Sequence, residues 1–333
     1  MTFDTAHCFA ADLGGTKLAA ALADGHGRIM AEVTEPTDPR GGAYVAEQIA
    51  ACADKLAQSA GIEAARVRHV MVGVPGAIDP VTGRVSLTPH ITGLQDFDVL
   101  GYLRGRFGPD VVIENDVNLA MLGEHTLGCA TQCRNAAFLA LGTGTGLGLL
   151  IDGKLFRGAR GSAGEIADLP IGRDPTSDAP PVHGAFELEV GSLAIVDRYR
   201  RQGGTAAVTV RDIFRLLEEG DEVAAAVLDT TARWVALAVA TLQSLLDLEL
   251  IVFGGSIGVR PELYTRVQQA LPALFSRPVA IAPSQLGDRA GLIGAVCAAA
   301  QALHQHREPA QRATAAVGHP AAHDGATECR PGE

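Results

Sequence analysis

The feature that most restricts the fold is a pattern that occurs twice. Residues 8–23 read as a strand, a Gly-Gly turn and a second strand, and Asp24-Gly25-His26-Gly27 then turns into a third. A shift of 128 positions lays Leu13-Gly14 on Leu141-Gly142 and Asp24-Gly25 on Asp152-Gly153, so the same succession starts again near Ala137. A repeat of this length is too long for a solenoid. It implies two related α/β halves, each opening with a glycine-turned hairpin. A chain of 333 residues has room for both, with a cleft between them.

Helical periodicity over 43–60 and 119–127 and apolar strands at 67–73 and 111–113 fill the first half. Helices at 211–219, 222–246, 261–274 and 291–305, with a buried strand at 250–253, fill the second. From His306 to Glu333 the composition turns to His, Ala, Pro, Gly and Arg without apolar periodicity, and a disordered tail is expected.

Charge and composition exclude several functions. The formal net charge is −11, without a Lys/Arg cluster that could displace counterions from a nucleic acid. An acidic chain can still hold a polyanion when backbone amides and a metal ion neutralise it. The first residues carry neither a basic region nor an apolar stretch of signal-peptide length. The most apolar later segment, Trp234 to Leu246, is bracketed by Arg233 and Asp247 and reads as too short and too polar to span a bilayer. Six scattered cysteines suit reduced thiols and a cytoplasmic location, and Cys129 and Cys133 read as structural rather than metal-binding.

Three short segments carry chemistry. In Asp12-Leu13-Gly14-Gly15-Thr16-Lys17 the glycines let a phosphate approach the backbone, Thr16 adds a hydroxyl donor, and Asp12 could hold a metal ion through water. A plain Gly-Gly hairpin accounts for the same residues. Gly142-Thr143-Gly144-Thr145-Gly146, continued by Gly148, alternates glycine and hydroxyl residues within an apolar strand pair. Such glycines cost strand stability, so close approach by a ligand or by backbone is expected. No Gly-Lys-Ser/Thr follows, and strand rather than helix comes next, which excludes a Walker A loop and a Rossmann fingerprint. Glu114-Asn115-Asp116 lies at the carboxyl end of a strand, where a carboxylate could take a proton from a hydroxyl and an Asn could bind its neighbour. For the Asp, a helix cap or turn former is the competing reading. After the strand at 250–253, Gly254-Gly255-Ser256 would let a flat nucleoside lie against the backbone.

The order DLGGTK, GVPGAID, ENDVNLA, LGTGTG, GSAGEI, VFGGS resembles the ROK family of sugar kinases and sugar-responsive repressors, from about residue 8 to 304. The resemblance implies two RNase-H-like domains of the actin-like ATPase superfamily closing over ATP, Mg²⁺ and a sugar. It implies an N-terminal domain of residues 1–118 completed by helix 291–305, and a C-terminal domain of residues 119–290. It makes Asp116 the catalytic base and Asn115 a sugar ligand. Gly76 borders the sugar, and Glu165 and Glu187 hold its hydroxyls. Asp12 to Lys17 and Gly142 to Gly146 become phosphate loops, with Gly254, Gly255 and Ser256 at the adenosine. A homodimer is the family's usual form.

One region departs from the family. Where the family places a His and three Cys around a structural zinc, this chain has Asp168, Asp178, Pro180 and Ala185. No family-type zinc is expected from that set, and solvated loop residues are the reading for Asp168, Asp178 and His183. The missing His also touches the sugar in the family's kinases. An ionised Asp168 cannot donate a hydrogen bond, and beside Glu165 and Glu187 it would raise a carboxyl pKa or favour a substrate rich in donors. The family's Asn and Trp after the GVPG strand are also replaced, within Pro89 to Gln95. Glucose and N-acetylmannosamine are therefore expected to be poor acceptors.

Three functions remain: an ATP-dependent kinase for a hexose or amino sugar, a sugar-binding regulator, and a binding protein that has lost catalysis. The regulators carry a helical DNA-binding domain before the first phosphate motif, and here the first strand begins within ten residues of Met1. Asp12, both glycine turns and Asp116 all persist, which favours the kinase. Small-molecule sugar and ATP are the expected partners, with no nucleic acid and no membrane.

Overall fold

A computed structural model describes residues 6–88, 91–171, 184–207 and 209–316. Strands β1 (His7–Leu13), β2 (Lys17–Asp24) and β3 (Ile29–Pro36) form a meander, followed by helix α1 (Gly42–Ser59) and strand β4 (Val67–Val74). A small hairpin of β5 (Ala77–Ile78) and β6 (Val85–Ser86) leads to helix α2 (Val99–Phe107), strand β7 (Val111–Asn115) and helix α3 (Asp116–Leu127). The second half repeats the meander as β8 (Ala136–Leu141), β9 (Thr145–Ile151) and β10 (Lys154–Leu155). Helices α4 (Glu187–Val190), α5 (Ser192–Arg201), α6 (Val210–Glu218) and α7 (Glu222–Leu246) precede strand β11 (Leu250–Gly254). Helices α8 (Gly255–Gly258) and α9 (Pro261–Ala270), strand β12 (Ile281–Pro283) and helix α10 (Ala290–Ala316) complete it.

The duplication read from the glycine turns is a duplication of topology. One sheet has the order β3-β2-β1-β4-β7 and the other β10-β9-β8-β11-β12. In each, the three meander strands are antiparallel and the last two run parallel to the first. The register corrects one detail. Leu13 pairs with Leu18, but Leu141 pairs with Thr145, so the first turn is one residue longer. The halves are offset by 128 along β1 and β8 but by 127 along β2 and β9.

Each sheet is buried on both faces, which is why β1 and β8 are almost continuously apolar. On the first sheet, Phe9, Leu13 and Leu22 pack with Ile49 and Leu56 of α1 and Leu103 of α2, while Cys8, Ala10, Ala19 and Ala21 pack with Leu292, Val296 and Leu303 of α10. On the second, Leu139 and Phe253 pack with Val235 and Val239 of α7 and Leu263 of α9, while Phe138 and Val252 pack with Ala120 and Met121 of α3. The helix that follows the last strand of each sheet thus covers the other sheet.

Local signals explain where the helices begin. Asp221 caps α7 by accepting from the Ala224 amide, and Thr209 with Asp212 forms a capping box at α6. Helix α7 spans 25 residues and by length and composition could cross a membrane, contrary to the shorter and more polar segment expected, but its buried residues fill the second core. Helix α10 continues to Ala316, past the expected end at Gln305, and residues 317–333 of the expected tail lie outside the described residues. The expected boundary between residues 118 and 119 falls inside α3.

Candidate active site

The strand ends of the first sheet bring two carboxylates together. Asp12 lies opposite Gly73 on β4, and Gly73 lies opposite Glu114 on β7, two residues before Asp116. A Cβ on Gly73 would stand 3.3 Å from Asp12 Oδ1 and 3.5 Å from the Asp116 Cα. One on Gly291, at the start of α10, would stand 2.4 Å from Asp12 Oδ2. At Gly291 the Asp12 carboxylate occupies the space a side chain would need, whereas at Gly73 the tightest neighbour is Leu119 Cδ1, 2.9 Å from that Cβ. The sequence assigned neither glycine a role beside Asp12.

This crowding governs the ionisation. Burial, and then the Asp116 charge, push the Asp12 pKa up to about 7, with Lys17 opposing. Burial likewise pushes Asp116 up to about 6, although the Val117 amide donates to its Oδ1 at 2.8 Å. Asp12 accepts no side-chain hydrogen bond among the described residues. An unanswered, partly buried carboxylate behind the first glycine turn fits a hard divalent cation such as Mg²⁺, which takes one or two carboxylates and keeps its waters.

Asn115 is less available than the sequence suggested. Its Oδ1 caps α3 by accepting from the Asn118 amide at 2.9 Å, and its Nδ2 donates to the Gly76 carbonyl at 3.0 Å. The cap that competed as a reading of Asp116 is thus supplied by the residue before it, which also keeps a place on the cavity wall. Glu114 supports the turn from behind, accepting from the Asn115 amide, from Asn118 Nδ2 at 3.0 Å and from Arg157 Nε. Gly76 has φ 97°, and a Cβ there would stand 2.2 Å from the Ser86 carbonyl oxygen, so the wall formed by residues 86–88 requires glycine.

The second glycine turn is held by the Glu187 side chain and the Ser192 backbone. The Thr145 amide donates to Glu187 Oε2 at 2.8 Å, so one oxygen of the expected sugar ligand is spent on the loop. Ser192 N donates to the Gly142 carbonyl at 3.1 Å. Gly146 and Gly148 answer to packing: their Cβ atoms would meet Val117 Cγ2 at 2.7 Å and the Val117 carbonyl oxygen at 2.4 Å. The close approach expected here is that of α3. Similarly, a Cβ on Gly254 would enter the Phe138 ring, and one on Gly255 would stand 2.3 Å from the Leu141 carbonyl oxygen. Ser256 Oγ lies 3.5 Å from where a Gly142 Cβ would be, so this segment and the second turn are neighbours.

These parts border a cavity of about 590 Å³. Gly15, Thr16, Gly76, Asn115, Asp116, Thr143, Gly144, Thr145, Gly146, Glu165, Asp168 and Glu187 line it. Asp12, Gly14, Lys17, Gly142, Gly254, Gly255 and Ser256 do not; Lys17 Nζ instead bonds Asp288 Oδ2 at 3.1 Å. Burial, followed by Asp168, Asp116 and Glu187, pushes the Glu165 pKa up to about 7. Thr88, Gln95 and Asn118 also line the cavity. Asn118 was within reach of sequence reading, because it is three residues after Asn115 in the same motif. Of the four replaced zinc-ligand positions, Asp168 and Ala185 supply one carboxylate and one methyl, a set that does not fit zinc; Asp178 and Pro180, like His183, lie outside the described residues.

Two sheets of matching order, facing one cleft with a glycine turn from each, have the fold of the actin-like ATPases. Among solved structures, the ROK hexokinase of Thermus thermophilus aligns with a TM-score of 0.76 at 31 % identity over 90 % of this chain and 99 % of that one. A ROK family glucokinase of Streptomyces griseus, in complex with glucose and AMPPNP, aligns with a TM-score of 0.73 at 26 % identity over 89 % and 99 %. A glucokinase of Streptomyces coelicolor is 30 % identical over 313 residues, covering 85 % of this chain and 94 % of the relative. A model of the ROK family matches residues 8–302. The chain belongs to the ROK family.

Proposed function

We propose that this ATP-dependent sugar kinase transfers the γ-phosphoryl group to a hydroxyl of a hexose or related sugar, with Asp116 as general base and Mg²⁺ on the phosphates. The observation that carries the reading is the single cavity running from both glycine turns to Asp116, which joins a polyanion site to a proton acceptor. Asp116 takes the hydroxyl proton as the sugar oxygen bonds the γ-phosphorus, and the bond from that phosphorus to the ADP oxygen breaks. Backbone amides of Gly15, Thr16, Thr143 and Gly144 would meet the phosphates, with Gly14, Lys17, Gly142, Thr145 and Gly146 shaping the turns. Gly254, Gly255 and Ser256 would border the adenosine. Asp12 would hold Mg²⁺ through water, where the ion offsets phosphate charge. Gly76, Asn115, Glu165, Asp168 and Glu187 would surround the sugar.

The same reading extends to the whole chain: a first domain of residues 1–118 completed by 291–305, a second of 119–290, a cytoplasmic location and a homodimer. The packing of α10 on β1 and β4 supports the first assignment.

The test is ADP release with Mg-ATP over a panel of aldoses, ketoses and amino sugars, for wild type and Asp116→Asn. An amide cannot accept the proton, so turnover should fall by ~10²–10⁴-fold with sugar binding retained. In the wild type, kcat/KM should rise with pH through about 6 as Asp116 ionises. Residual activity above about a tenth of wild type would remove Asp116 from the role. Nucleotide and sugar binding without any turnover would mark a binding protein instead.

A further inference from the structure

The cavity has an unusual polar inventory beside its glycine turns. Asp116, Glu165, Asp168 and Glu187 all line it, and no Lys, Arg or His is among the described lining residues. Glu187 spends one oxygen on the Thr145 amide, but no described side chain donates to Glu165 or Asp168. Two further lining side chains are more than nine-tenths buried with an unanswered atom: Asn118 at 3 % exposure and Thr88 at 6 %. Asn118 Oδ1 and Thr88 Oγ1 have no partner among the described residues. The Asn118 orientation is not arbitrary, because its Nδ2 donates to Glu114 Oε1, which can only accept. Thr88 and Gln95 can donate as well as accept, but every charged side chain among the described lining residues is a carboxylate.

The hydroxyls of a neutral sugar can donate to these carboxylates, but such a sugar carries no charge to offset four of them where no described lining side chain is a cation. A bound metal ion is not the complement either, since no three His, Cys, Asp or Glu side chains among the described residues converge on one point. The carboxylates are spread around a space of molecular size. An alkylammonium on a sugar ring supplies three donors, no acceptor and one positive charge. It would answer unpaired acceptors and offset the repulsion among carboxylates that neighbour one another.

We propose that the acceptor is a hexose carrying a free, protonated amino group, with the ammonium held by Glu165 and Asp168. This deepens the kinase reading and rests on it. An N-acetylated amino sugar loses the charge and adds an acceptor, so it is disfavoured along with glucose.

The experiment is steady-state ADP release at pH 7 with Mg-ATP. The acceptors are glucose, its 2-, 3- and 4-amino-deoxy analogues, and their N-acetylated forms, each with wild type and Asp168→Asn. For wild type, kcat/KM for at least one free amino sugar should exceed that for glucose and for its own N-acetyl form by about 10-fold or more. A hydrogen bond to a charged group is lost in Asp168→Asn, so kcat/KM for that sugar should fall by about 10–100-fold, chiefly through KM, and its advantage over glucose should shrink with it. Glucose or an N-acetyl sugar performing as well as every free amine would overturn the proposal and leave the kinase reading intact. So would an advantage unchanged by Asp168→Asn. Failure of every sugar to release ADP would overturn the kinase reading and this proposal together.

Discussion

The two sheets share an order of strands but not a chemistry. Across the first sheet the strand ends read Asp12, Gly73, Glu114; across the second, the corresponding row begins Ala140, Gly254. At the strand ends the first sheet carries carboxylates and the second does not; the second half's cavity carboxylates, Glu165, Asp168 and Glu187, lie beyond its meander strands. The covering helices differ in the same way. Helix α10 rests on the alanines of β2, Ala19 and Ala21, whereas α3 rests on the register-equivalent Gly146 and Gly148 of β9. Without a Cβ beneath it, α3 can lie closer to its sheet, and α3 is the helix whose first residue is Asp116. A duplicated scaffold has thus been made unequal by removing methyl groups from a strand of one sheet and placing carboxylates at the strand ends of the other.

The sharpest way to break this comparison is to equalise the two faces. Gly148→Ala places a methyl 2.4 Å from the Val117 carbonyl oxygen and 3.0 Å from Met121 Cβ, so α3 must lift. Stability should drop by about 1–3 kcal/mol, with a further loss of kcat because Asp116 moves with the helix. Ala21→Gly on the other sheet should cost about 1 kcal/mol and leave kcat unchanged. Denaturant midpoints and kcat for the pair check this; a neutral Gly148→Ala would mean that the glycine run does not serve the helix.

The carboxylate side can be tested through pH. Asp12 has a folded pKa of about 7 against an ordinary 3.8, so between those values the unfolded chain releases a proton that the folded chain keeps. Stability from this group is full below about pH 4, falls as pH rises, and is lost above about pH 7. Asp12→Asn should therefore raise Tm at pH 8 by several degrees, about 3–6 °C, and leave it nearly unchanged near pH 4. Mg²⁺ should raise the wild-type Tm at pH 8 but not that of the variant. Equal Tm values at pH 8 would show that Asp12 bears no such burden.

The smallest effect is expected at the end of the chain. The apolar contacts of α10 with the first sheet end at Leu303 among the described residues. Truncation after residue 305 should leave Tm and activity within error of the full chain, measured by thermal melts and ADP release.

Much of the site was legible because its signals are local. A glycine turn between apolar strands, an acidic triplet at a strand end and a buried strand before Gly254-Gly255 each occupy a few adjacent residues, and backbone sterics assign them. Local reading left choices open where one residue type serves two purposes. At Gly146 and Gly148 it allowed close approach by a ligand or by backbone, and the structure brings α3, while Asn115, expected beside the sugar, also caps a helix. Thr88 gave no sign at all, because its place in the wall depends on residues 86–88 folding back onto Gly76, and Gln95 stood out only as part of a segment where the family's residues are replaced.

The sequence by itself determined the duplicated α/β architecture and the family, since periodicity and motif order are properties of neighbours along the chain. Only the tertiary structure decided which charges face one another. Asp12, Asp116 and Glu165 are more than a hundred and fifty positions apart from first to last, yet each is pushed toward neutrality by burial, and Asp12 and Glu165 also by neighbouring charge. Those are effects of distance and lost solvent, fixed when the sheets close on one cavity.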